Sequence, residues 1–318
     1  FSYGKSNMQR VGEVMNRQEI RKMLKTVLKE DQISEKESMK KHTSFRIGGD
    51  ADFLVLPSSI AELQQLMRML NEKQIPFFVM GNGTNLLVRD KGIRSVVIKI
   101  ARNISNYGIR GTDIFAEAGL SLSALSRIIL EEELTGFEFA SGIPGTVGGA
   151  MVMNAGAYGG EMKDIVKSVL VMDEKGLIFE MKGEDMEFGY RTSILSKQRL
   201  LVLGATFSLE KGNRQEIQEK MDDYALRRNT KQPIQEASAG STFKRPEGYF
   251  AGKLIEDSGL RGVSHRGAQV SQLHCGFVIN KGDATCEDVL ELINMIKKTV
   301  YDKFQVSLEE EVRLVGEE

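Results

Sequence analysis

Residues 141–150 read Ser-Gly-Ile-Pro-Gly-Thr-Val-Gly-Gly-Ala, and seven of the 32 glycines of the chain lie between Gly142 and Gly160. Glycine tolerates positive φ and lets the backbone approach a ligand closely. The run lacks the Lys-Ser/Thr ending of a P-loop, which disfavours a kinase or NTPase. It also lacks GxGxxG at a strand-to-helix turn, which disfavours a Rossmann site. It therefore predicts a backbone surface that wraps a pyrophosphate, with tight packing between a strand and a helix as the alternative.

A second glycine cluster, Gly81-Asn82-Gly83-Thr84-Asn85, directly follows the apolar strand Phe77–Met80. Successive amides in such a turn form an anion-binding nest, although an ordinary hairpin has the same pattern. The small residues of 154–159 extend the first cluster with a surface on which a flat ring could lie. The two clusters begin about sixty residues apart, in different predicted lobes. Together they predict a clamp for the two halves of one long cofactor, which suits FAD better than a mononucleotide.

Composition excludes several classes of partner and site. Lys+Arg 43 against Asp+Glu 44 leaves a formal net charge of -1, so neither nucleic acid nor an anionic membrane is expected as a partner. Cys275 and Cys286 are too few for a disulfide framework and lack metal-ligand spacing, so no metal site is predicted. No apolar run reaches the roughly 18 residues of a membrane span. Residues 1–16 lack the apolar region of a signal peptide and are expected to form a mobile tail, and a cytoplasmic location fits best.

Hydrophobic periodicity predicts a mixed α and β chain. The first helix is capped by Asn16 and has an apolar face that extends to Val27 and Leu28. Ser59 and Glu62 predict a capping box for the second helix. Strands are predicted at 51–56, 77–80, 96–100, 115–119, 169–172, 177–181, 200–209, 276–280 and 311–315, and further helices at 121–133, 216–228 and 287–304. Helices and strands in segregated units point to an α+β fold.

Three short motifs carry candidate chemistry, although each alone is typical of ordinary surface structure. Arg191 stands beside Tyr190 in GYRTS, which on its own indicates a surface turn. Ser241 lies in AGSTFKRP, where glycine and serine could simply start a strand. Glu311 belongs to EEEVR, which is otherwise a solvated charge run.

Read together, these segments resemble the UDP-N-acetylenolpyruvoylglucosamine reductases of the short subtype, a family of vanillyl-alcohol-oxidase-like flavoproteins. The resemblance covers nearly the whole chain from KHTSFRIGG onward and rests on these pieces, in the family's order: GNGTNLLV, GFEFASGIPGTVGGAMVMNAGAYGGE, YRTS, KQP, AGSTFKRP and LEEEVRLVG. It implies a two-lobed FAD-binding domain of the p-cresol-methylhydroxylase type plus a C-terminal α+β substrate-binding domain. The expected borders are 17–105 for lobe 1, 106–213 for lobe 2 and 214–318 for the substrate domain.

The resemblance also implies an activity: NADPH-dependent reduction of UDP-N-acetylglucosamine enolpyruvate to UDP-N-acetylmuramate, a step of peptidoglycan precursor synthesis. The family's catalytic positions match Arg191, Ser241 and Glu311. Substrate-binding positions are Tyr190, Lys231, Arg245, His274 and Arg313, with Arg245 standing where some relatives carry Asn. FAD-binding positions are Gly81, Asn82, Gly83, Thr84, Asn85, Leu86, Gly119, Ser141, Gly142, Ile143, Pro144, Gly145, Thr146, Gly148, Gly149, Ala150, Asn154, Gly156 and Ala157.

Two alternatives stay open from the sequence. One is an FAD-dependent oxidase or dehydrogenase of the same fold that acts on another small substrate, and the other is a flavin- or nucleotide-binding regulatory module without turnover. Neither glycine cluster contains a His or Cys that could tether a flavin, so the FAD is expected to be dissociable. NADPH and substrate are expected to take turns in one cleft. No pattern sets the oligomeric state, and a monomer is compatible with the sequence.

Overall fold

The computed structural model describes residues 15–318, so nearly all of the predicted N-terminal tail lies outside the described residues. The described chain forms two compact units. Unit 1 contains residues 15–35, 52–82 and 95–225, and unit 2 contains residues 36–51, 83–94 and 226–318.

Both units contain helices and strands. The α-helices of residues 15–318 are α1 Arg17–Leu24, α2 Ile60–Glu72, α3 Leu122–Glu131, α4 Val147–Met153, α5 Arg214–Lys231, α6 Ala251–Asp257 and α7 Cys286–Phe304. The strands are β1 Ile33–Ser38, β2 Asp50–Val55, β3 Phe77–Met80, β4 Leu86–Val88, β5 Ile93–Lys99, β6 Tyr107–Arg110, β7 Asp113–Glu117, β8 Leu134–Thr135, β9 Gly156–Ala157, β10 Gly160–Glu161, β11 Val166–Met172, β12 Ile178–Lys182, β13 Leu201–Ser208, β14 Glu210–Lys211, β15 Ser264–His265, β16 Ala268–Val270, β17 Val278–Asn280 and β18 Arg313–Val315.

Two sheets build most of unit 1. One has the order β1-β2-β5-β3, with β3 parallel to β5, and the other is an antiparallel sheet in the order β12-β11-β13-β7-β6. Apolar side chains at helical spacing on α2 and α3, such as Leu63, Leu66, Leu125 and Ile129, are fully buried in the core of this unit. This packing leaves the ends of β3 and β7 next to the glycine-rich segments.

Unit 2 is held by pairing between segments that are far apart in the chain. β4, which follows the Gly81–Asn85 turn, pairs in parallel with β18, and Leu86 stands opposite Arg313. The antiparallel sheet β15-β16-β17 and helices α6 and α7 supply the rest of its core. Because this pairing joins residues 83–94 to the C-terminus, the units do not follow the borders predicted at 105 and 213, and the three-domain division stays a prediction.

Two predicted helix ends differ from the structure. α1 is capped by Asn16 as predicted, but it ends at Leu24, and Val27 and Leu28 lie in the turns that follow. In these turns the α-helical hydrogen bonds give way to bonds between residues three apart. The amide and the hydroxyl of Thr26 both donate to the Met23 carbonyl. The capping box of α2 forms only in part: Ser59 accepts from the Glu62 amide, whereas the Glu62 carboxylate accepts from the amide and hydroxyl of Ser58.

Candidate active site

The glycine-rich stretch 141–150 is anchored at the end of β7 and contains the start of α4, a helix that is absent from the elements predicted from the sequence. The Gly148 amide donates to the Ala118 carbonyl at 2.8 Å, and the Val147 amide donates to the Leu120 carbonyl at 2.9 Å. A Cβ on Gly148 would lie 3.1 Å from that of Ala118. At Gly148 the glycine therefore serves tight packing, and its amide is engaged inside the protein.

Other amides of the same stretch point to a ligand. The amide and hydroxyl of Ser141 both donate to the Glu138 carbonyl, at 3.2 and 2.8 Å. In contrast, the amides of Gly142, Gly145 and Thr146 meet no acceptor within residues 15–318. Gly142 and Gly145 are half-buried, and unsatisfied amides of this kind are rare unless a ligand or water accepts from them. These three amides form the part of the stretch that can donate to a pyrophosphate.

The two glycine clusters meet within unit 1. A Cβ on Gly81 would lie 2.5 Å from the Thr146 hydroxyl oxygen, which in turn accepts from the Gly149 amide at 3.4 Å and caps α4. Gly149 itself is exposed, and a Cβ there would meet only the Thr146 hydroxyl, at 3.6 Å. Gly81 and Thr146 are therefore in close contact.

Further predicted FAD contacts occupy distinct local environments. Gly119 is a packing glycine, since its Cβ would lie 1.8 Å from the Ala101 carbonyl oxygen. Asn154 ends α4 in the left-handed region, with φ +41°, and its side chain is buried. Pro144 and Asn82 are exposed. Among the remaining predicted contacts in unit 1, Ala150 is buried. The others are half-buried: Ile143, Gly156 and Ala157.

Arg191 lies in a two-residue turn of unit 1. The backbones of Gly189 and Thr192 exchange hydrogen bonds of 3.0 and 3.3 Å, and Tyr190 and Arg191 form the tip. Arg191 has φ +54°, a left-handed conformation that costs a non-glycine residue of order 1 kcal/mol. Its Nη2 donates to the Gly156 carbonyl at 3.2 Å, and its guanidinium lies 5.4 Å from the ring centroid of the half-exposed Tyr190.

In unit 2 the structure brings Ser241 and Glu311 onto adjacent segments. The Glu311 amide donates to the carbonyl of Thr242 at 2.8 Å. The backbones of Phe243 and Glu310 form an isolated antiparallel β-bridge. The hydroxyl of Ser241 has no hydrogen-bond partner among the residues described. It is therefore able to bond with a ligand.

Thr242, which the sequence prediction does not include, fixes this arrangement. It is buried, its amide donates to the Gly276 carbonyl at 2.8 Å, and its hydroxyl accepts from the Val278 amide at 2.9 Å. The available sequence signal is its position between Ser241 and the apolar Phe243 in AGSTFKRP.

The residues that follow the Gly81–Asn82 turn brace the Glu311 segment. Asn85 Nδ2 donates to the Glu311 carbonyl at 3.1 Å, and the Asn85 carbonyl accepts from the Arg313 amide at 2.9 Å. Gly83 is buried, and its carbonyl accepts from the Ser44 amide at 3.2 Å. Burial holds the pKa of the Arg313 guanidinium below its usual range. Thr84 and Asn85 are half-buried.

The remaining predicted substrate-binding residues of unit 2 differ in exposure. His274 Nδ1 accepts from the Gly276 amide at 3.0 Å, and burial lowers the pKa of the imidazole, so the neutral form carries its proton on Nε2. Arg245 is exposed and stacks 4.0 Å above the ring of Phe250. Lys231 is exposed at the end of α5.

Both cysteines are buried free thiols. Burial raises the pKa of the Cys275 thiol, and it raises that of the Cys286 thiol to about 12. Within residues 15–318 no group of three or more His, Cys, Asp or Glu side chains could hold a metal ion. No helix of that part of the chain is both long and apolar enough to cross a membrane.

The chain matches known families along most of its length. Residues 51–182 match the family described as "FAD binding domain", and residues 232–315 match "UDP-N-acetylenolpyruvoylglucosamine reductase, C-terminal domain". The UDP-N-acetylenolpyruvoylglucosamine reductase of Clostridioides difficile (strain 630) is 56% identical over 96% of this chain and 100% of its own. That of Alkaliphilus oremlandii is 55% identical over 93% of this chain and 98% of its own.

A solved structure gives the same picture for the fold. The crystal structure of UDP-N-acetylenolpyruvylglucosamine reductase from Thermus caldophilus superposes with a TM-score of 0.76 at 33% identity. It covers 89% of this chain and 97% of the Thermus chain. The predicted α+β fold and the predicted FAD-binding domain are thereby confirmed. The open amides of Gly142, Gly145 and Thr146 lie inside the matched FAD-binding segment and fit its pyrophosphate.

Proposed function

Because this chain belongs to the UDP-N-acetylenolpyruvoylglucosamine reductases, we propose that it reduces UDP-N-acetylglucosamine enolpyruvate to UDP-N-acetylmuramate with NADPH. The observation that carries the proposal is the pairing of the Glu311 amide with the carbonyl of Thr242, next to the open hydroxyl of Ser241. This pairing supports the proposal because it keeps the segments of Ser241 and Glu311 next to each other within unit 2. The reaction is a step of peptidoglycan precursor synthesis.

The FAD is held by backbone rather than by charged side chains. When it is bound and reduced, FAD supplies the hydride that the β-carbon of the enolpyruvyl group receives. The open amides of Gly142, Gly145 and Thr146 donate to its pyrophosphate. Asn82 and Gly149 are exposed residues that would contact it. Gly119 and Gly148 support this surface by close packing.

Negative charge that develops on the substrate carboxylate is stabilised by Arg191 and Glu311. The planar guanidinium of Arg191 suits a carboxylate, and its turn fixes the direction of the side chain before substrate arrives. Glu311 acts in its protonated form, since an ionised carboxylate would repel the developing anion. Donors that are fixed in advance are the arrangement that stabilises such charge most effectively.

Ser241 completes the reduction by delivering a proton to the α-carbon. A serine hydroxyl is a weak acid, so the transfer requires a strongly basic enolate and close alignment. The Thr242 anchors supply that alignment by fixing the backbone next to Ser241. After the transfer the serine is reprotonated from solvent.

The substrate-binding residues contribute charge and hydrogen bonds around the sugar nucleotide. Lys231 is an exposed cation that meets the diphosphate, and the exposed Arg245 is a further substrate contact. His274 offers its Nε2 hydrogen, and Tyr190 and Arg313 flank the catalytic positions. NADPH and substrate take turns in one cleft, which explains why the sequence carries no separate dinucleotide motif.

We propose further that the enzyme is cytoplasmic and that it has neither a nucleic acid nor a membrane partner, the latter in keeping with its net charge of -1. The proposed domains are lobe 1 at residues 17–105, lobe 2 at 106–213 and the substrate domain at 214–318.

Steady-state turnover tests the proposed function. NADPH oxidation is followed by absorbance with and without the enolpyruvyl sugar nucleotide, and the account expects fast oxidation only when that substrate is present. Oxidation that ignores the substrate and consumes oxygen instead would favour an oxidase of the same fold. Ser241→Ala is expected to slow substrate reduction by several orders of magnitude while NADPH still reduces the flavin normally. Equal losses in the two half-reactions would rule out the proposed role of Ser241.

A further inference from the structure

The buried side chain of Asn154 connects the Gly189–Thr192 turn, which carries Arg191, to the β9–β10 hairpin, which accepts a hydrogen bond from Arg191. Its exposed fraction is 1%, and its amide group makes three hydrogen bonds. Nδ2 donates to the Gly189 carbonyl at 3.0 Å and to Oε2 of Glu161 at 3.0 Å, while Oδ1 accepts from the Lys163 amide at 2.9 Å. Both amide hydrogens are used. A backbone N–H can only donate, so the Lys163 contact fixes which atom is Oδ1.

The bond to Gly189 acts on the turn itself. Gly189 is the first residue of the turn whose tip carries Arg191, and its amide and carbonyl close the turn with Thr192. Because Arg191 is held in the left-handed region, its conformation persists only where the surroundings enforce it. The hydrogen bond from Asn154, at the end of α4, to the Gly189 carbonyl is one of the contacts that enforce it.

The bond to Glu161 acts on the acceptor of the guanidinium. Glu161 pairs with Gly156 in the β9–β10 hairpin, and the Gly156 carbonyl accepts from Arg191 Nη2 at 3.2 Å. Glu161 also forms an ion pair with Lys163 at 2.7 Å. The Lys163 ammonium lowers the pKa of the Glu161 carboxyl, assisted by the Asn154 amide and by the charge of Arg191. Glu161 is therefore ionised and can accept from Asn154.

We propose that Asn154 is a positioning residue for Arg191: one amide group ties the base of the Arg191 turn to the hairpin that receives the guanidinium. The inference rests on the proposed function, in which Arg191 contacts the substrate carboxylate. It assigns the Asn154 side chain to Arg191 rather than to FAD, because the side chain is buried and both amide hydrogens and the amide oxygen already bond to the protein.

Asn154→Gly is the principal test. Glycine keeps the left-handed conformation at the end of α4 and removes the amide group. A small misplacement of a catalytic group can cost up to about 100-fold in rate, so kcat per bound flavin is expected to fall roughly 10- to 100-fold. The dissociation constant and absorption spectrum of the flavin are expected to stay within about twofold of wild type. Asn154→Asp keeps the shape but loses the donors, and it is expected to change kcat in the same direction.

Asn71→Ala is the matched control in the same unit. It removes an amide that donates to the Glu174 carbonyl at 2.6 Å, in a part of unit 1 that carries no predicted site residue. This variant is expected to lower the melting temperature while kcat per bound flavin stays unchanged. If Asn154→Gly behaves like Asn71→Ala, its role is only structural and the proposal is wrong.

A double-mutant cycle separates positioning from an independent effect. In an Arg191→Lys background, Asn154→Gly is expected to lower kcat by less than about twofold, because the group that it positions is already impaired. Additive losses, or a flavin dissociation constant that rises with the loss of kcat, would overturn the proposal. Wild-type protein that does not reduce the enolpyruvyl substrate would overturn the proposed function itself, and this inference with it.

Discussion

Gly149→Ala separates the folding of the glycine-rich stretch from its binding of FAD. Gly149 is exposed in α4, and a Cβ there would touch only the Thr146 hydroxyl, at an ordinary contact distance of 3.6 Å. Alanine is favoured over glycine within a helix by about 1 kcal/mol. The protein without flavin is therefore expected to be as stable as wild type, or up to about 1 kcal/mol more stable.

The same methyl group is expected to weaken flavin binding. If the backbone of Gly149 lies against the cofactor, the added carbon must be accommodated in a filled space. Overpacking of this kind costs about 1–3 kcal/mol. That range corresponds to a dissociation constant for FAD that is roughly 5- to 150-fold higher than wild type.

The assay is a titration of the apoprotein with FAD, followed by flavin fluorescence and paired with thermal melts of the same samples. Gly108→Ala is the control, since a Cβ on Gly108 has no atom within 4 Å and its position in β6 is not a predicted FAD contact. A dissociation constant for Gly149→Ala that equals the control would show that FAD does not lie against this glycine. Unfolding of the apoprotein would contradict the ordinary contact of 3.6 Å between a Cβ on Gly149 and the Thr146 hydroxyl.

Three further predictions follow from packing and charge. Gly81→Ala puts a Cβ 2.5 Å from the Thr146 hydroxyl, so its free energy of unfolding should fall by about 1–3 kcal/mol, measured by denaturant titration. Burial raises the pKa of Cys286 to about 12, so Ellman's reagent at pH 8 should not modify this thiol before the protein is unfolded. The pKa of Glu138 is lowered: burial opposes this, but hydrogen bonds from Thr135 and Gly136 prevail. Its stabilisation is present above the unfolded value of 4.5 and is lost as pH falls, so acid should destabilise wild type more than Glu138→Gln in pH-dependent melts.

Local signals predicted many elements because neighbouring residues decide them. The strand Phe77–Met80 forms as predicted, since four apolar residues are followed by Gly81. The first helix begins after Asn16 as predicted, because a cap acts within one turn. The helix α4 was missed because its sequence begins with Val-Gly-Gly, which has low helix propensity. Its Thr146 cap, followed by apolar residues at Val147, Ala150 and Met151, was the available signal.

What the sequence could not predict depends on partners that are distant in the chain. The glycine run suggested a continuous surface of donors, but the Gly148 amide is taken by Ala118, thirty residues earlier. Likewise, Ser241 and Glu311 are adjacent only because Thr242 pairs with the C-terminal segment. The roles of these residues came from resemblance to a family, and their geometry came from the fold.

The most direct test of the central claim is an anaerobic single turnover. The enzyme is reduced with one equivalent of NADPH, freed of NADP, and mixed with UDP-N-acetylglucosamine enolpyruvate while the flavin spectrum is recorded. The account predicts complete reoxidation of the flavin, with one UDP-N-acetylmuramate formed per flavin. A flavin that stays reduced until oxygen is admitted would contradict it.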